Sequence, residues 1–509
     1  MIQFRVEPSA VHALEADVVI RLVDASTLKT GTLQAIPGLP AVLDQAVGSY
    51  VNNGLFKAEP GDVQVIPTLG LVTAAHVVYI GYGGEPLGME GLRKAGAAAA
   101  RTLKKLKAAS ASVLVEVGLY GGSESCSTER AAQALTEGII LGHRTRQPRL
   151  KETPAEQVID IAFTPVQHEG GSLASERADE WEAGMNRGRI FGDAVAYARG
   201  LTNLPGNMLT PEMLAMEAEA LAGEMSLDIE VIDEWSAAEQ GMGGLLAVGQ
   251  GSANPPRMIV VHYEGAPESK EKLALVGKGI TFDTGGISLK RADGMEEMIS
   301  DMGGAAAVLG AMRIIASLKP AVNVIAVIPA AENMPSDRAL KPGDVITTMS
   351  GRTIEIVNTD AEGRVVLADG LTTAIQRGAT RIIDVATLTG AVMVSLADVA
   401  TGAVTNDETF LNQLVQVSNQ TGERIWPLPS YPEFRKLLDS DAADLKNSAG
   451  RYGGASTGGL FIGVFAEELP WVHLDIGGTA WLYKDRGWET KGATGVMTRT
   501  LAEYVIQQG

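Results

Sequence analysis

Charged side chains lie beside glycines in three otherwise apolar segments of the sequence. The segments are VGKGITFDTGGISLK at 276–290, MISDMGGAA at 298–306 and NTDAEGRVVLADG at 358–370. Four carboxylates in one pocket repel one another unless cations neutralise them, and two divalent ions supply the charge that balances four. The pattern indicates the chemistry of a two-metal hydrolase, in which ions about 3.5–4 Å apart activate a water. The four carboxylates are Asp283, Asp301, Asp360 and Glu362.

Basic side chains occur in the same segments. Lys278 and Lys290 flank Asp283, and Arg364 follows Glu362 by two residues. On spacing alone, these charges could equally form ordinary salt bridges between loops at the end of a sheet. Lys278 could simply pair with Asp283. Both interpretations stay open from the pattern alone.

The third segment has an alternating arrangement. In an extended segment Asp360, Glu362 and Arg364 would point to one side. Ala361 and Gly363 between them are small and leave room for the backbone to lie close to a ligand. All three segments follow or interrupt predicted strands, and open α/β sheets bind ligands beyond the carboxyl ends of their strands. We therefore expect the segments to converge at one sheet edge.

Strands and helices alternate along most of the chain, which predicts an α/β fold of two domains. The predicted domains are 1–168, a connecting helix at 169–200, and a larger domain at 201–509. In the first domain we expect strands at 17–23, 77–82 and 111–120 and a helix at 91–109. In the second we expect a helix at 303–318 and buried strands of a largely parallel sheet at LDIEVID, RMIVVHYE, KLALVGKG, AVNVIAVIPAA and TRIIDVATL.

Composition excludes several classes of function. The net charge of −19 repels phosphate backbones and anionic lipid, so neither nucleic-acid nor membrane binding is expected. The single cysteine, Cys126, excludes an internal disulfide framework and Cys-rich metal sites. No H-E-x-x-H motif occurs, so carboxylates must hold any metal. No secretory signal and no apolar run approaching the roughly 18 residues of a membrane span are found, which predicts a cytoplasmic location.

The three segments resemble signature blocks of the leucyl aminopeptidase family, the cytosol aminopeptidases. NTDAEGR at 358–364 is the most specific of these blocks. The resemblance is dense over about 200–509 and extends to the N-terminal part only in size and α/β character. It implies a smaller, macro-domain-like N-terminal α/β domain and a larger catalytic domain with a mostly parallel, helix-flanked mixed sheet. Further matching blocks are TNLPGNMLTP at 202–211, PAAENMPSDRALKPGDV at 329–345, ATLTGA at 386–391, DLKNSAG at 444–450 and WVHLDIGGTAW at 471–481.

The resemblance implies a pair of divalent metal ions, Zn²⁺ or Mn²⁺, with Co²⁺ and Mg²⁺ as alternatives. The tightly held ion would take Lys278, Asp283, Asp301 and Glu362. The exchangeable ion would take Asp283, Asp360 and Glu362, so that Asp283 and Glu362 bridge the two. A lysine ligand must be neutral, and its deprotonation at pH 7 costs about 4.6 kcal/mol, which metal coordination has to offset.

The implied reaction is hydrolysis of an N-terminal peptide bond by a water that bridges the metals. Lys290 would polarise the scissile carbonyl and stabilise the oxyanion, and Arg364 would anchor a bicarbonate ion that shuttles the proton. The free α-amine of the peptide would bind the exchangeable metal, which restricts cleavage to the N-terminus. An S1 pocket suited to leucine and other large apolar side chains would be lined by Met298, Thr387, Gly390 and part of 455–460.

The sequence departs from the family pattern at three places without losing a predicted ligand. Ile299 stands where a polar or basic residue is expected, and Thr284 replaces the commoner serine. GGASTGGLF at 453–461 has glycines where the family usually has alanines, a change that would widen the substrate pocket and so bears on the preference for leucine. His473 and Trp471 are expected to pack in the core.

The resemblance also implies a homohexamer, a dimer of trimers, acting on peptides with a free N-terminus. A two-metal phosphoesterase is disfavoured because the three blocks contain no histidine. A catalytically silent structural paralogue is disfavoured because all seven metal and catalytic residues are present. A DNA-binding regulator is disfavoured by the negative charge.

Overall fold

The computed structural model describes most of the chain, including all of 175–509. The 117–120 end of one predicted strand, the 169–174 start of the predicted connecting helix and Cys126 lie outside the described residues. The described residues are 2–7, 15–29, 33, 35–84, 88–116, 127–144, 146, 158–166 and 175–509.

The chain divides into two compact units. The first is Met1–Ala196 with Lys484–Thr490, and the second is Tyr197–Tyr483 with Lys491–Gly509. The α/β class expected from the sequence is confirmed in both units. The domain limits at 168 and 200 stay predictions, although Lys484–Thr490 is grouped with the first unit and was expected in the second.

The first unit contains one described sheet of six strands, in the order β1-β6-β5-β2-β4-β3. Its described neighbours are parallel except for β3 and β4. The elements are β1 (Ile2–Val6), β2 (Val18–Asp24), α1 (Ala25–Lys29), α2 (Ala41–Asn52), β3 (Val63–Pro67), β4 (His76–Gly83), α3 (Met89–Leu106), β5 (Ser110–Glu116), α4 (Thr128–His143), β6 (Ile159–Val166) and α5 (Ser175–Thr202), which continues into the second unit.

The segment Lys484–Thr490 contributes a core residue to the first unit. Trp488 is 5% exposed and packs in a cluster with Ala97, Leu141 and Val195. Its indole Nε1 donates to Glu90 Oε1 at 2.9 Å. The core of the first unit therefore includes a side chain from near the C-terminus.

The second unit holds a nine-stranded sheet and many helices. Its elements are α6 (Pro211–Met225), β7 (Asp228–Ile232), α7 (Glu234–Glu239), α8 (Gly243–Gly249), β8 (Arg257–Glu264), β9 (Leu273–Gly277), β10 (Gly279–Asp283), a 3-10 helix (Met295–Met302), α9 (Gly303–Leu318), β11 (Asn323–Asn333), β12 (Val345–Thr347), β13 (Thr353–Glu355), α10 (Gly363–Gln376), β14 (Arg381–Ala386), α11 (Gly390–Leu396), β15 (Thr401–Thr405), α12 (Glu408–Thr421), β16 (Ile425–Pro427), α13 (Pro432–Lys436), β17 (Leu445–Lys446), α14 (Gly454–Gly463), β18 (Trp471–Asp475), β19 (Trp481–Leu482), β20 (Gly492–Ala493) and α15 (Thr498–Ile506).

The sheet of the second unit runs β16-β15-β18-β14-β9-β11-β8-β7, with β10 also paired to β11. Its centre is parallel, because β14 pairs in parallel with β18 and β9, and β11 pairs in parallel with β9 and β10. Strand β7 is antiparallel to β8, and β15 is antiparallel to β18. The predicted mostly parallel mixed sheet is confirmed, and the five predicted strand runs correspond to β7, β8, β9, β11 and β14.

By length and composition alone, the stretch Met295–Leu318 is long and apolar enough to cross a membrane. However, 89% of its most apolar part is buried inside the protein. Such burial is typical of a core helix.

His473 and Trp471 are both buried in β18. Trp471 Nε1 donates to Asp384 Oδ2 at 2.6 Å, and His473 Nδ1 lies 2.6 Å from Asp384 Oδ1. Burial lowers the pKa of His473, but the carboxylate of Asp384 outweighs this and raises it. The pair joins two central strands, since Asp384 lies in β14.

A buried carboxylate connects α10 to two other segments. Asp369 is fully buried, and it accepts hydrogen bonds from the backbone N–H groups of Leu245 and Met349, both at 2.8 Å. Burial raises the pKa of Asp369 to about 7, although these N–H groups act in the opposite direction. Asp369 therefore holds α8 and the turn after β12 against α10.

Asp369→Asn is expected to destabilise the protein, and more so at low pH. The amide turns an NH₂ group toward one backbone N–H, which leaves that donor unsatisfied at a cost of about 1–3 kcal/mol. The native pKa lies above the unfolded value of about 3.9, so the wild-type carboxyl stabilises the folded protein most below about pH 4. That stability is lost as pH rises toward about 7. Calorimetric unfolding across this range measures the difference.

Asp228→Asn, at the exposed start of β7, is the matched control and should leave the unfolding temperature nearly unchanged. A penalty for Asp369→Asn that is the same at every pH would contradict the raised pKa. No penalty at all would contradict the role of Asp369 in packing α10.

Candidate active site

Several predicted site residues lie at the ends of parallel strands, at one edge of the second unit's sheet. Lys278 directly follows β9, Asp283 ends β10 and Thr387 directly follows β14. Since β9 is parallel to β14 and to β11, and β11 is parallel to β10, their carboxyl ends share one edge. This is where ligands bind in open α/β sheets.

Glu362 and Arg364 reach this edge at the start of a helix. The extended segment expected at 358–364 was wrong, because residues 359–360 form a turn and α10 begins at Gly363. Glu362 is the N-cap residue of α10, with φ −79° and ψ −36°. The turn-to-helix transition, and not strand alternation, directs these side chains.

Lys278 lies among three groups of acceptor oxygens. Its Nζ is 2.8 Å from each carboxylate oxygen of Asp301, 2.9 Å from Glu362 Oε1 and 2.9 Å from the carbonyl of Thr387. Burial alone lowers the pKa of Lys278, but the carboxylates outweigh it and raise the pKa above its ordinary value. The ion pairs of Lys278 are thus with Asp301 and Glu362, where sequence spacing had suggested Asp283.

Lys290 lies between the other two carboxylates. Its Nζ is 2.7 Å from Asp283 Oδ2 and forms a salt bridge with Asp360 Oδ1. Burial lowers the pKa of Lys290, but Asp283, Glu362 and Asp360 raise it above its ordinary value. The four predicted carboxylates are therefore arranged around two ammonium groups.

Three of the carboxylates form a compact buried cluster. Asp283, Asp301 and Glu362 each place one oxygen within 4.8 Å of the others. Burial raises the pKa of Asp283 and of Asp301. Burial also raises the pKa of Glu362, but the ammonium groups of Lys278 and Lys290 prevail and lower it.

The donor set of this cluster fits a divalent cation. Glu362 Oε2 is buried and makes no hydrogen bond, while Oε1 is paired with Lys278. An unpartnered carboxylate oxygen is costly to bury unless a cation or donor satisfies it. Carboxylate oxygens are ligands for Mg²⁺ and Mn²⁺ and also serve Zn²⁺.

Arg364 lies in the first turn of α10 and is 7% exposed. Its Nη1 donates to the backbone carbonyl of Asn447 at 2.9 Å, while its buried Nε makes no hydrogen bond. Burial lowers the pKa of Arg364. A buried guanidinium with an unsatisfied N–H fits the binding of an anion.

Glycine is required at two positions by close approach. A Cβ atom at Gly363 would lie 2.7 Å from Nζ of Lys278 and closer still to its Cε. Gly285 has φ of 86°, and a Cβ atom there would lie 2.8 Å from Asp360 Oδ1. Glycines in the first and third segments therefore make room for the charged side chains.

The predicted substrate residues are only partly brought together. Thr387 lies in the site, and its hydroxyl donates to Asp301 Oδ1 at 2.7 Å. Met298 is half-buried in the 3-10 helix, three residues before Asp301. Gly390 is the exposed first residue of α11, and the space around it is open. Their substrate-binding roles stay predictions.

The glycine-rich block at 453–461 forms most of α14. A Cβ atom at Gly458 would lie 3.3 Å from Arg364 Nη2, 3.0 Å from Thr389 Cγ2 and 3.1 Å from Leu388 Cδ2. The glycine thus allows the helix to approach the guanidinium. The effect of this block on substrate preference stays a prediction.

The other two departures from the family pattern fit their surroundings. Ile299 is 8% exposed in the 3-10 helix. Thr284 Oγ1 donates to the Asn333 carbonyl at 2.8 Å and accepts from Gly286 N–H at 3.1 Å. These bonds need only a hydroxyl, which serine and threonine both provide.

Several polar residues around the site were assigned no role from the sequence. Asn333, the last residue of β11, donates through Nδ2 to Asp283 Oδ1 at 2.7 Å and to the Thr359 carbonyl at 3.0 Å. Asp475, the last residue of β18, accepts from Thr389 Oγ1 at 2.7 Å. A polar residue directly at the end of a buried strand was the signal that could have identified both.

Together the fold and the carboxylate cluster are those of an α/β protein with a candidate hydrolase site at the carboxyl edge of the sheet. Comparison with known proteins then gives the family. Residues 196–502 match the catalytic domain of the cytosol aminopeptidase family, and residues 25–146 match its N-terminal domain. The chain belongs to the cytosol aminopeptidase family and is a peptidase.

Individual relatives agree with this assignment. The chain is 42% identical over 472 residues to a probable cytosol aminopeptidase of Alkaliphilus metalliredigens, covering 91% of this chain and 92% of the relative. It is 42% identical over 464 residues to that of Bacillus subtilis, covering 91% of each. The solved structure of the bottromycin maturation enzyme BotP in complex with Mn has a TM-score of 0.82 and 32% identity, covering 97% of this chain and 99% of that chain. The resemblance inferred from the motifs is confirmed.

Gly363→Ala is expected to reduce peptidase activity at least about tenfold. The new methyl group would displace the Lys278 side chain from Asp301 and Glu362, and small misplacements in an active site are costly. Hydrolysis of leucine p-nitroanilide and the unfolding temperature should both be measured.

Gly223→Ala in α6 is the matched control, because a Cβ atom there meets no atom within 4 Å. This variant should keep full activity and gain up to about 1 kcal/mol of stability. A fully active Gly363→Ala would show that the close approach of Lys278 does not matter for catalysis.

Proposed function

We propose that the chain is a metal-dependent aminopeptidase that releases N-terminal residues, with leucine and other large apolar residues preferred. The observation that carries the proposal is the buried cluster of Asp283, Asp301 and Glu362 with two lysines against it. Family membership supports the aminopeptidase activity, and the manganese complex of the structural neighbour BotP supports a divalent ion.

The predicted ligands would hold two ions. Lys278, Asp283, Asp301 and Glu362 would bind one ion, and Asp283, Asp360 and Glu362 the other. When bound, the ions supply Lewis acidity and an activated water. The ions proposed first are Zn²⁺ and Mn²⁺, and Co²⁺ and Mg²⁺ are the alternatives. All four ions accept carboxylate ligands.

Lys290 would act on the scissile carbonyl. Its side chain is 23% exposed, in contrast to 3% for Lys278, so its ammonium borders both the carboxylates and the solvent side. Its raised pKa keeps it protonated at neutral pH. A fixed ammonium beside the carbonyl oxygen stabilises the negative charge that develops there.

Arg364 would hold a bicarbonate ion, with its unsatisfied Nε as one donor. The bound anion would supply the general base that the three motifs do not provide. Substrate side chains would contact Met298, Thr387, Gly390 and part of 455–460. The half-buried Met298 suits apolar residues, since methionine adapts its shape.

Chelation is expected to abolish hydrolysis of leucine p-nitroanilide, and added Mn²⁺ or Zn²⁺ should restore it. In the proposed reaction the bound ions activate the water, so the rate depends on them. N-acetyl-leucine p-nitroanilide is the control substrate and should resist hydrolysis, because its α-amine is blocked. Activity that persists in chelator would overturn metal dependence, and cleavage of the acetylated substrate would overturn the exopeptidase assignment.

Lys290→Gln should lower kcat by roughly 10²–10³, as expected for the loss of an oxyanion donor. Arg364→Ala should remove any stimulation of the rate by added bicarbonate. Lys341→Gln is the control for charge, since the Lys341 side chain is 65% exposed. The assigned roles fail if Lys290→Gln keeps its kcat, or if Arg364→Ala responds to bicarbonate as the wild type does.

We also propose a homohexamer, a dimer of trimers, that acts on peptides with a free N-terminus in the cytoplasm. Exposed apolar side chains of the second unit support association, among them Val394 at 89%, Tyr452 at 80% and Trp426 at 62% exposure. Light scattering should give about six times the 53.4 kDa chain mass. The mass of a monomer would overturn the hexamer.

A further inference from the structure

Asn447 in the DLKNSAG block has no role in the reaction proposed above. It directly follows β17 and is 1% exposed. Strand β17 pairs in parallel with β13, and the Asn447 N–H donates to the Glu355 carbonyl at 2.9 Å. The residue is therefore fixed at the base of the segment that leads to the predicted ligands.

The side chain of Asn447 forms its hydrogen bonds with that segment. Its Oδ1 accepts from the N–H groups of Val357 at 2.9 Å and Asn358 at 3.3 Å. Its Nδ2 donates to the carbonyls of Asn358 at 2.6 Å and Ala361 at 3.3 Å. Both amide hydrogens and both lone pairs are thus used within 357–361.

The backbone carbonyl of Asn447 contacts a residue that follows the same segment. Its carbonyl accepts from Arg364 Nη1 at 2.9 Å. One residue thus holds the turn that carries Asp360 and Glu362, and it also holds the guanidinium that follows them. Since 357–362 lies outside regular helix and strand, these hydrogen bonds take the place of a backbone ladder.

We propose that Asn447 is a positioning residue that sets Asp360 and Glu362 for the metal ions and Arg364 for the anion. It acts through the backbone and touches neither the substrate nor an ion. The inference rests on the proposed metal-dependent function. It predicts that one substitution weakens metal binding and the response to bicarbonate together.

Asn447→Asp is the most informative substitution. The carboxylate has nearly the same shape, but it cannot donate, and it places negative charge against the carbonyls of Asn358 and Ala361. Loss of a group that supports metal ligands typically costs about 10–100-fold in metal affinity. Asn447→Ser buries no charge and carries the same test if Asn447→Asp does not fold.

Asn323 provides a matched control at the start of β11. It is 6% exposed, its Oδ1 accepts from Ala266 N–H at 3.0 Å, and its Nδ2 donates to the Ala266 carbonyl at 2.7 Å. Asn323→Asp therefore removes the same kind of donors from a buried asparagine. The amino end of β11 lies at the other edge of the sheet from Asp283, because β10 and β11 are parallel.

The experiment is calorimetric titration of Mn²⁺ into chelator-treated, full-length protein, together with kcat, KM and the bicarbonate response. Asn447→Asp should raise the Mn²⁺ dissociation constant roughly 10–100-fold, lower kcat more than it raises KM, and blunt the bicarbonate response. Asn323→Asp should lower the unfolding temperature without changing Mn²⁺ affinity or the bicarbonate response.

The outcomes separate this inference from the function on which it rests. A wild type that binds no Mn²⁺ overturns the proposed function. A wild type that binds Mn²⁺ while Asn447→Asp binds it equally well overturns only the role of Asn447. Equal losses of Mn²⁺ affinity in the Asn447 and Asn323 variants would reduce Asn447 to a general stabiliser and also overturn the inference.

Discussion

Mutual repulsion among buried carboxylates is the constraint on which the carboxyl edge of the second unit's sheet depends. Asp283, Asp301 and Glu362 lie too close together, and too far from solvent, to be ionised without nearby positive charge. Lys278 and Lys290 supply part of that charge, each placed against a different pair of carboxylates. A parallel sheet supports this arrangement, because it brings several strand ends to one place without a long connecting loop.

The surrounding structure keeps these groups from relaxing apart. Lys278 is held by the backbone on both sides of its strand end, since its N–H donates to Val385 and its carbonyl accepts from Ala305. Asn333 holds Asp283, and the Thr387 hydroxyl holds Asp301. The charged cluster is therefore rigid because its neighbours are hydrogen-bonded to elements of the sheet.

Much of this could be predicted from the sequence, and the failures have physical causes. Continuous apolar runs identified the central strands, because strands buried on both faces lack polar alternation. Motif spacing identified the four carboxylates. It did not identify which lysine pairs with which carboxylate, since tertiary distances decide that. Alternating small and charged residues at 358–364 suggested an extended segment, but a turn that leads into a helix can show the same alternation.

The first unit is discontinuous along the chain, because it includes Lys484–Thr490, with the core residue Trp488, while its other residues precede 197. On the ribosome, roughly 290 residues of the second unit must be made before this tryptophan emerges. N-terminal domains usually fold first during synthesis, yet this one cannot complete its packing until translation is almost finished. Its final stability is thus acquired late, and a truncation that removes Trp488 would affect the N-terminal unit as well.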